Sequence, residues 1–268
     1  MFDKPWKELT IIDNFIFLKV FSNKEIFKKF ILYLLNKRIK LLEYKKEPET
    51  EKSIDSYFGS KSVRLDVYCE TKNQYFDVEM QTSNKKEDPL PLRSRSYQSN
   101  IDQLILQKGN HYEKLKNLYI IFICTFDYIK EKSAIYTIKE TIIEFPNSKK
   151  WNNRVVKILL NINGDRGTLN KNIVDFLDYC KGLPPKGDFA LSVAKEVEKV
   201  KINEKYKEEF MTLAEELERR KDEWTKDAVD KTKREMAVDM LRDEKPIEEV
   251  VKYTKLPLDV VTKIRANL

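Results

Sequence analysis

The chain contains a single histidine, His111, following Gly109 and Asn110 in a segment that reads as a loop. A lone imidazole can build neither a histidine-based metal centre nor a serine–histidine relay, which excludes the enzyme classes that depend on either. Cysteine is scarce and odd in number. Cys69, Cys124 and Cys180 lie far apart and form no CxxC pair, so they are expected to be reduced, buried thiols rather than a disulfide framework or a metal clasp. Long apolar runs are also missing. The first twenty residues are interrupted by Asp3, Lys4, Lys7, Glu8, Asp13 and Lys19, which leaves no apolar core for a signal peptide. No stretch reaches the roughly 18 apolar residues of a membrane span, and a cytoplasmic location is the expectation. There is no internal repeat.

What is present suits a folded domain. Of 268 residues, 41% are hydrophobic and 11% aromatic, well above the composition of a disordered chain. The net charge of +7 is unevenly distributed. Residues 191–268 hold 18 basic against 19 acidic side chains, while residues 1–190 hold 33 against 25, so the surplus lies in the first part. A positive surface attracts polyanions and steers their approach.

The segment DNFIFLKVFSNKEIFKKFILYLLN (13–36) spaces Phe15, Leu18, Phe21, Ile26, Phe30 and Leu34 as one or two helices would. The polar stretch KKEPETEKSIDSYFGSK reads as a connection broken by Pro48 and Gly59. Beyond the Pro89/Pro91 pair, residues 92–107 have helical periodicity, with Gly109 suited to the C-terminal cap. NLYIIFICTF (117–126) is an almost continuous apolar run, as expected of a central strand buried on both faces. Residues 135–145 and 151–162 read as further strands, and NIVDFLDYC (172–180) as a helix stopped by Gly182, Pro184 and Pro185, so the α/β part ends near 187. Asp188 to Lys245 contains no Gly or Pro and reads as long, solvated helix. Pro246 and Pro257 then stand at first-turn positions of two short helices joined by a tight turn at 254–256.

The chemistry is carried by SVRLDVYCETKNQYFDVEMQ, where apolar and polar residues alternate as in a half-buried hairpin. A two-residue turn at Lys72-Asn73 makes paired positions sum to 145 and sets Asp66 opposite Glu79. Val63, Leu65, Val67, Cys69, Phe76, Val78 and Met80 then share one face, and Arg64, Asp66, Tyr68, Glu70, Tyr75, Asp77, Glu79 and Gln81 the other. Opposed carboxylates repel unless something offsets their charge. A hard divalent cation such as Mg²⁺ does so with oxygen ligands, and it orients water and neutralises charge during phosphoryl displacement. From the pattern alone this reading stands beside a plainer one, two exposed carboxylates tolerating each other in water on a solvated face.

These residues resemble the PD-(D/E)XK nuclease superfamily, and within it the recombination-promoting nuclease/transposase family. RLDVYCETKNQYFDVEMQ is similar to that family's D…ExQ hairpin, DNFIFLKVFSNKEIFKKFILYLLN to its opening helical block, and RSRSYQSNIDQLILQKGNHYEKLKNLYIIFI to its R…Y…QL..G..Y..L segment; together they cover most of residues 10–126. The resemblance implies an α/β, restriction-endonuclease-like mixed β-sheet flanked by helices, with a C-terminal all-helical extension. In that frame residues 1–187 are a nuclease domain, 188–245 a long charged helical region suited to self-association, and 246–268 a helix-turn-helix-like tail suited to packing, dimerisation or DNA contact. The implied activity is a metal-dependent DNA endonuclease using Mg²⁺ or Mn²⁺, promoting recombination or transposition.

By position, the resemblance makes Asp66 and Glu79 metal ligands, completed by the Met80 carbonyl, and puts Gln81 where the family pattern usually has lysine. Asp13 falls at the acidic position of the opening block, with a helix N-cap as its alternative role. Arg93, Arg95, Tyr97 and Gln98 fall on a helix beside the site, suited to holding DNA phosphate; Arg93 and Tyr97 share a face. Because glutamine supplies no positive charge, a non-catalytic nucleic-acid-binding protein that retains the nuclease fold is the competing reading, and a helical oligomerisation scaffold a third.

Overall fold

A computed structural model describes residues 4–35, 44–54, 63–106 and 110–268. Gly59 and Gly109, assigned above as a breaker and a cap, lie outside the described residues. The chain divides into two compact units, Met1–Tyr206 and Lys207–Leu268.

In the first unit the opening apolar block forms two helices, α1 (Asn14–Phe21) and α2 (Lys24–Leu34). They separate at Asn23, whose side chain accepts the Glu25 and Ile26 amides at 3.0 and 3.4 Å and so caps α2. Strands β1 (Tyr44–Ile54), β2 (Val63–Thr71) and β3 (Gln74–Gln81) follow, then α3 (Leu90–Ile105), β4 (Asn117–Cys124), β5 (Ile135–Ile138), β6 (Val155–Asn161), α4 (Lys171–Cys180) and α5 (Gly187–Ile202). Among the described residues the six strands run in the order β1-β2-β3-β4-β6-β5. β3 and β6 both lie parallel to β4, while β1/β2, β2/β3 and β5/β6 are antiparallel. The sheet is therefore mixed and flanked by helices, in a restriction-endonuclease-like α/β arrangement, and the apolar β4 is interior to it.

The polar stretch read as a connection contains β1, a correction with a clear cause. β1 is an edge strand, largely exposed, so it has no apolar alternation to announce it, and Pro48 falls where the register shifts between Lys46 and Glu49. Proline is tolerated at such edge irregularities because no ladder donor is needed there. The segments 135–145 and 151–162 are strands only in part, at Ile135–Ile138 and Val155–Asn161.

Each face of the sheet has its own core. Tyr68, Tyr75, Leu118, Ile120 and Phe122 pack against Leu90, Tyr97 and Ile101 of α3. On the other face Phe27 of α2 meets Phe76, ring centroids 6.2 Å apart. Beyond it Phe21, Phe30, Phe176 and Phe189 tie α1, α2, α4 and α5 together at 5.3–6.4 Å. The region expected as one long solvated helix is thus two: α5 buries Phe189, Val193, Val197 and Val200, and the helix is interrupted at Asn203. Its valines recur on one face at helical spacing, so the charges interleaved with them mark only the outer face.

The second unit holds most of α6 (Glu204–Arg242), then α7 (Ile247–Thr254) and α8 (Leu258–Ala266). Ala237, Val250, Leu256 and Val261 form its small core, and Lys255 makes the tight turn with φ 59°. Pro246 and Pro257 immediately precede the two short helices.

Phe176 is fully buried and touches three other rings. Phe176→Ala is expected to lower unfolding free energy by about 3–5 kcal/mol, measured by chemical denaturation; a loss below about 1 kcal/mol would show that the four helices do not depend on this cluster.

Candidate active site

The site is set by the hairpin register. Val67 pairs with Val78, Tyr68 with Asp77, Cys69 with Phe76 and Glu70 with Tyr75, the register expected for a turn at Lys72-Asn73. One step further the ladder forks, and side chains replace backbone. Glu79 Oε1 accepts the Asp66 amide at 2.8 Å, and Asp66 Oδ2 accepts the Met80 amide at 3.1 Å. Each carboxylate is therefore held by the other strand's main chain, across the pair that the register makes opposite.

The surroundings differ from a half-solvated hairpin. β3 has a strand on each side and α3 above it, so Asp77, Glu79 and Gln81 are buried and only Asp66 is half-buried. The two-face alternation read from the sequence also breaks near Asp66: Val63 and Leu65 join the same core as Tyr68 and Tyr75. Strict two-face alternation holds only along a regular ladder, and the ladder ends there.

α3 supplies the positive charge. Arg93 donates to Glu79 Oε2 at 3.1 Å, to Gln81 Oε1 at 2.8 Å and to Asp88 at 3.4 Å. One turn on, the Tyr97 hydroxyl accepts from Arg93 at 2.8 Å and donates to Glu79 Oε2 at 3.3 Å, and the guanidinium lies over its ring, 5.3 Å from the centroid. The Gln81 amide nitrogen donates to the same Glu79 oxygen at 3.4 Å. Burial, reinforced by the Glu79 charge, raises the Tyr97 phenol and keeps it a donor.

The sequence candidates separate cleanly. Asp66, Glu79, Gln81, Arg93 and Tyr97 are brought together, with Met80 between the last two hairpin residues. Arg95 is exposed and Gln98 turns to Asp102, so neither joins the network. Asp13 occupies the N-cap position of α1 without capping it; its carboxylate takes the Thr10 amide at 2.7 Å and Lys4 at 2.9 Å. Its neighbour Asn14 instead reaches Asp66 Oδ1, at 3.4 Å. Asn14 was missed because only the tertiary fold carries α1 to β2.

Asp77 was missed as well. It is fully buried, and among the described residues neither of its oxygens has a hydrogen-bond donor. Its polar neighbour is the carboxyl of Glu79, with which a bond requires a shared proton. The one signal in the sequence was its place between Tyr75 and Glu79 on the same face of β3.

Burial lifts all three carboxyls above the ordinary range: Asp66, Glu79 to about 8, and Asp77 well beyond the usual aspartate value, where the charges of Glu79 and Asp66 add to the desolvation. Four donors surround Glu79 and none surrounds Asp77, so the proton belongs on Asp77 and the negative charge on Glu79, facing Arg93. The fit to a metal follows from the donor set. Among the described residues no group of three or more His, Cys, Asp or Glu stands ready to hold an ion. Two carboxylates and a carbonyl remain, oxygen donors suited to Mg²⁺, which keeps much of its own water. Met80 sends its amide toward β2, and in a strand the carbonyl of the same residue points the same way, into the fork.

The unfolded chain releases its carboxyl protons near pH 4, whereas this cluster retains one to a higher pH. Between these limits the folded state binds more protons, so stability is greatest at low pH and is lost as pH rises toward the raised range in which Asp77 gives up its proton. The metal-free thermal midpoint is expected to fall between about pH 5 and pH 8 and the slope to flatten in Asp77→Asn; an unchanged slope would place the proton elsewhere.

The sequence model of a family described as PD-(D/E)XK nuclease family transposase matches residues 12–245 of the chain. No curated protein matches it.

Proposed function

As the chain belongs to the PD-(D/E)XK nuclease family transposases, we propose that it is a metal-dependent DNA endonuclease that hydrolyses phosphodiester bonds in support of recombination or transposition. The observation that carries this reading is the interlock of Asp66 and Glu79 at the end of the β2–β3 ladder. Asp66, Glu79 and the Met80 carbonyl are the residues that would hold Mg²⁺ or Mn²⁺. Such an ion supplies Lewis-acid polarisation of the scissile phosphate.

The chain's own residues do the rest. Arg93 offers a planar, forked guanidinium, suited to two non-bridging phosphate oxygens. Tyr97 fixes its orientation from one turn away. The Gln81 amide sits beside Glu79 where it can orient a water or a phosphate oxygen, without the positive charge a lysine would bring. Asp77 keeps a proton in reserve behind Glu79, limiting the net negative charge that an approaching phosphate meets.

In plasmid nicking with Mg²⁺ or Mn²⁺, Asp66→Ala and Glu79→Ala are each expected to lower the rate by about 100-fold or more, as for groups that hold or orient a metal. Undiminished nicking in both variants would remove these residues from the mechanism. The neutral Gln81 and its engagement by Arg93 favour a second reading, a non-catalytic DNA-binding protein. That reading expects salt-sensitive DNA binding in chelator and no nicking with either metal.

We propose also that α6 mediates self-association. Among its exposed side chains are Met211, Leu217, Trp224, Val229 and Met236, apolar area that a second copy of the helix would remove from water. A dimeric or larger mass by light scattering is expected, lowered by Trp224→Glu; a monomer at all concentrations would end this assignment. No described helix is long and apolar enough to cross a membrane.

A further inference from the structure

Glu79 is crowded with donors. Oε1 holds the Asp66 amide at 2.8 Å; Oε2 holds Arg93, Tyr97 and Gln81 at 3.1, 3.3 and 3.4 Å. A carboxylate oxygen offers about two acceptor positions, so Oε2, with three donors, has none to spare, whereas Oε1 keeps one. A divalent ion arriving at Oε2 must therefore evict a partner, and electrostatics decides which one. Tyr97 and Gln81 are neutral and the Asp66 amide is fixed in the sheet, whereas Arg93 is a cation on the same carboxylate and would repel the newcomer.

Arg93 also has a way out. Its side chain is 22% exposed, in contrast to the 1% of Glu79, and it already touches Asp88, which is 48% exposed at the outer rim. Rotating outward exchanges an inner carboxylate for this outer one. It also moves the guanidinium toward solvent, where a phosphate can reach it.

On this basis, and resting on the metal-dependent reading above, we infer that Arg93 is a displaceable counter-ion that occupies the cation position of the resting site and makes divalent-ion loading and phosphate binding reinforce each other. A DNA phosphate gives the outgoing guanidinium a strong partner, so DNA draws Arg93 off Glu79 and the ion binds more tightly. Thermodynamic linkage requires the converse, an ion that strengthens DNA binding by the same factor. Arg93 is thus a positioning residue for site assembly as well as a phosphate contact.

The test is calorimetric titration of Mg²⁺ into the full chain, with and without a DNA duplex bearing non-hydrolysable phosphorothioate linkages. In the unaltered protein the duplex is expected to tighten Mg²⁺ binding about tenfold. Arg93→Met should bind Mg²⁺ about tenfold more tightly than the unaltered protein without DNA, and gain little from the duplex. Equal or weaker binding by a folded Arg93→Met overturns the inference. Should that variant not fold, Asp88→Asn decides alone, because it removes only the outer acceptor at the surface. It is expected to weaken Mg²⁺ binding without DNA by about threefold, and an unchanged or higher affinity overturns the inference. Glu79→Ala separates the two levels: Mg²⁺ binding that persists in it defeats the metal assignment itself, whereas binding lost in it but unmoved by Arg93→Met or Asp88→Asn defeats only the counter-ion role.

Discussion

Three carboxyl groups side by side in a sheet interior impose an electrostatic demand that the α/β unit is built to meet. Removing an isolated carboxylate from water costs several kcal/mol even after relaxation, and Asp66, Asp77 and Glu79 raise that demand by their mutual repulsion. The structure meets it in three ways. Main-chain amides at the end of the ladder hold Asp66 and Glu79. A single guanidinium from α3 faces Glu79, and the acid without a donor keeps its proton. Remove α3 and the face of β3 would open to solvent; remove Arg93 and the charge on Glu79 would have only neutral donors.

This explains why the fold and the site cannot be separated. α3 crosses from β3 to the parallel β4, so the helix that covers the sheet also delivers Arg93 and Tyr97 one turn apart, directly after the strand that carries Glu79. Tyr97 serves both roles. Its ring belongs to the core with Phe122, centroids 6.3 Å apart, and its hydroxyl belongs to the site.

The hairpin was legible because it is a local object. The alternation of residues 63–81 and the two-residue turn set the register without reference to the rest of the chain, and the pairing of Val67 with Val78 follows from it. Features that needed the third dimension were less visible. β1 hides in a polar, proline-containing stretch because an edge strand shows most of its side chains to water. Asp77 shows only its place between Tyr75 and Glu79 on one face of β3; its burial comes from the neighbouring strands and the helix packed over them. Asp13 drew attention by its type and position, yet the turn that begins α1 directs it to Thr10 and Lys4 and leaves Asn14 to reach the site. The end of α5 at Asn203 was masked by unbroken helical composition on either side.

The fork beyond Val67 and Val78 has an implication for how such a chain tolerates change over generations. Lys72 and Asn73 lie at the far end of the hairpin from the acids, and many side chains would suit a two-residue connection. Its length is another matter. A single inserted or deleted residue would shift β3 by one position against β2 and turn Glu79 and Gln81 to the opposite face of the sheet, away from Arg93. Variation at this turn should therefore run through substitution, with gaps confined to other loops, so that a stretch with no chemistry of its own acts as a ruler for the site.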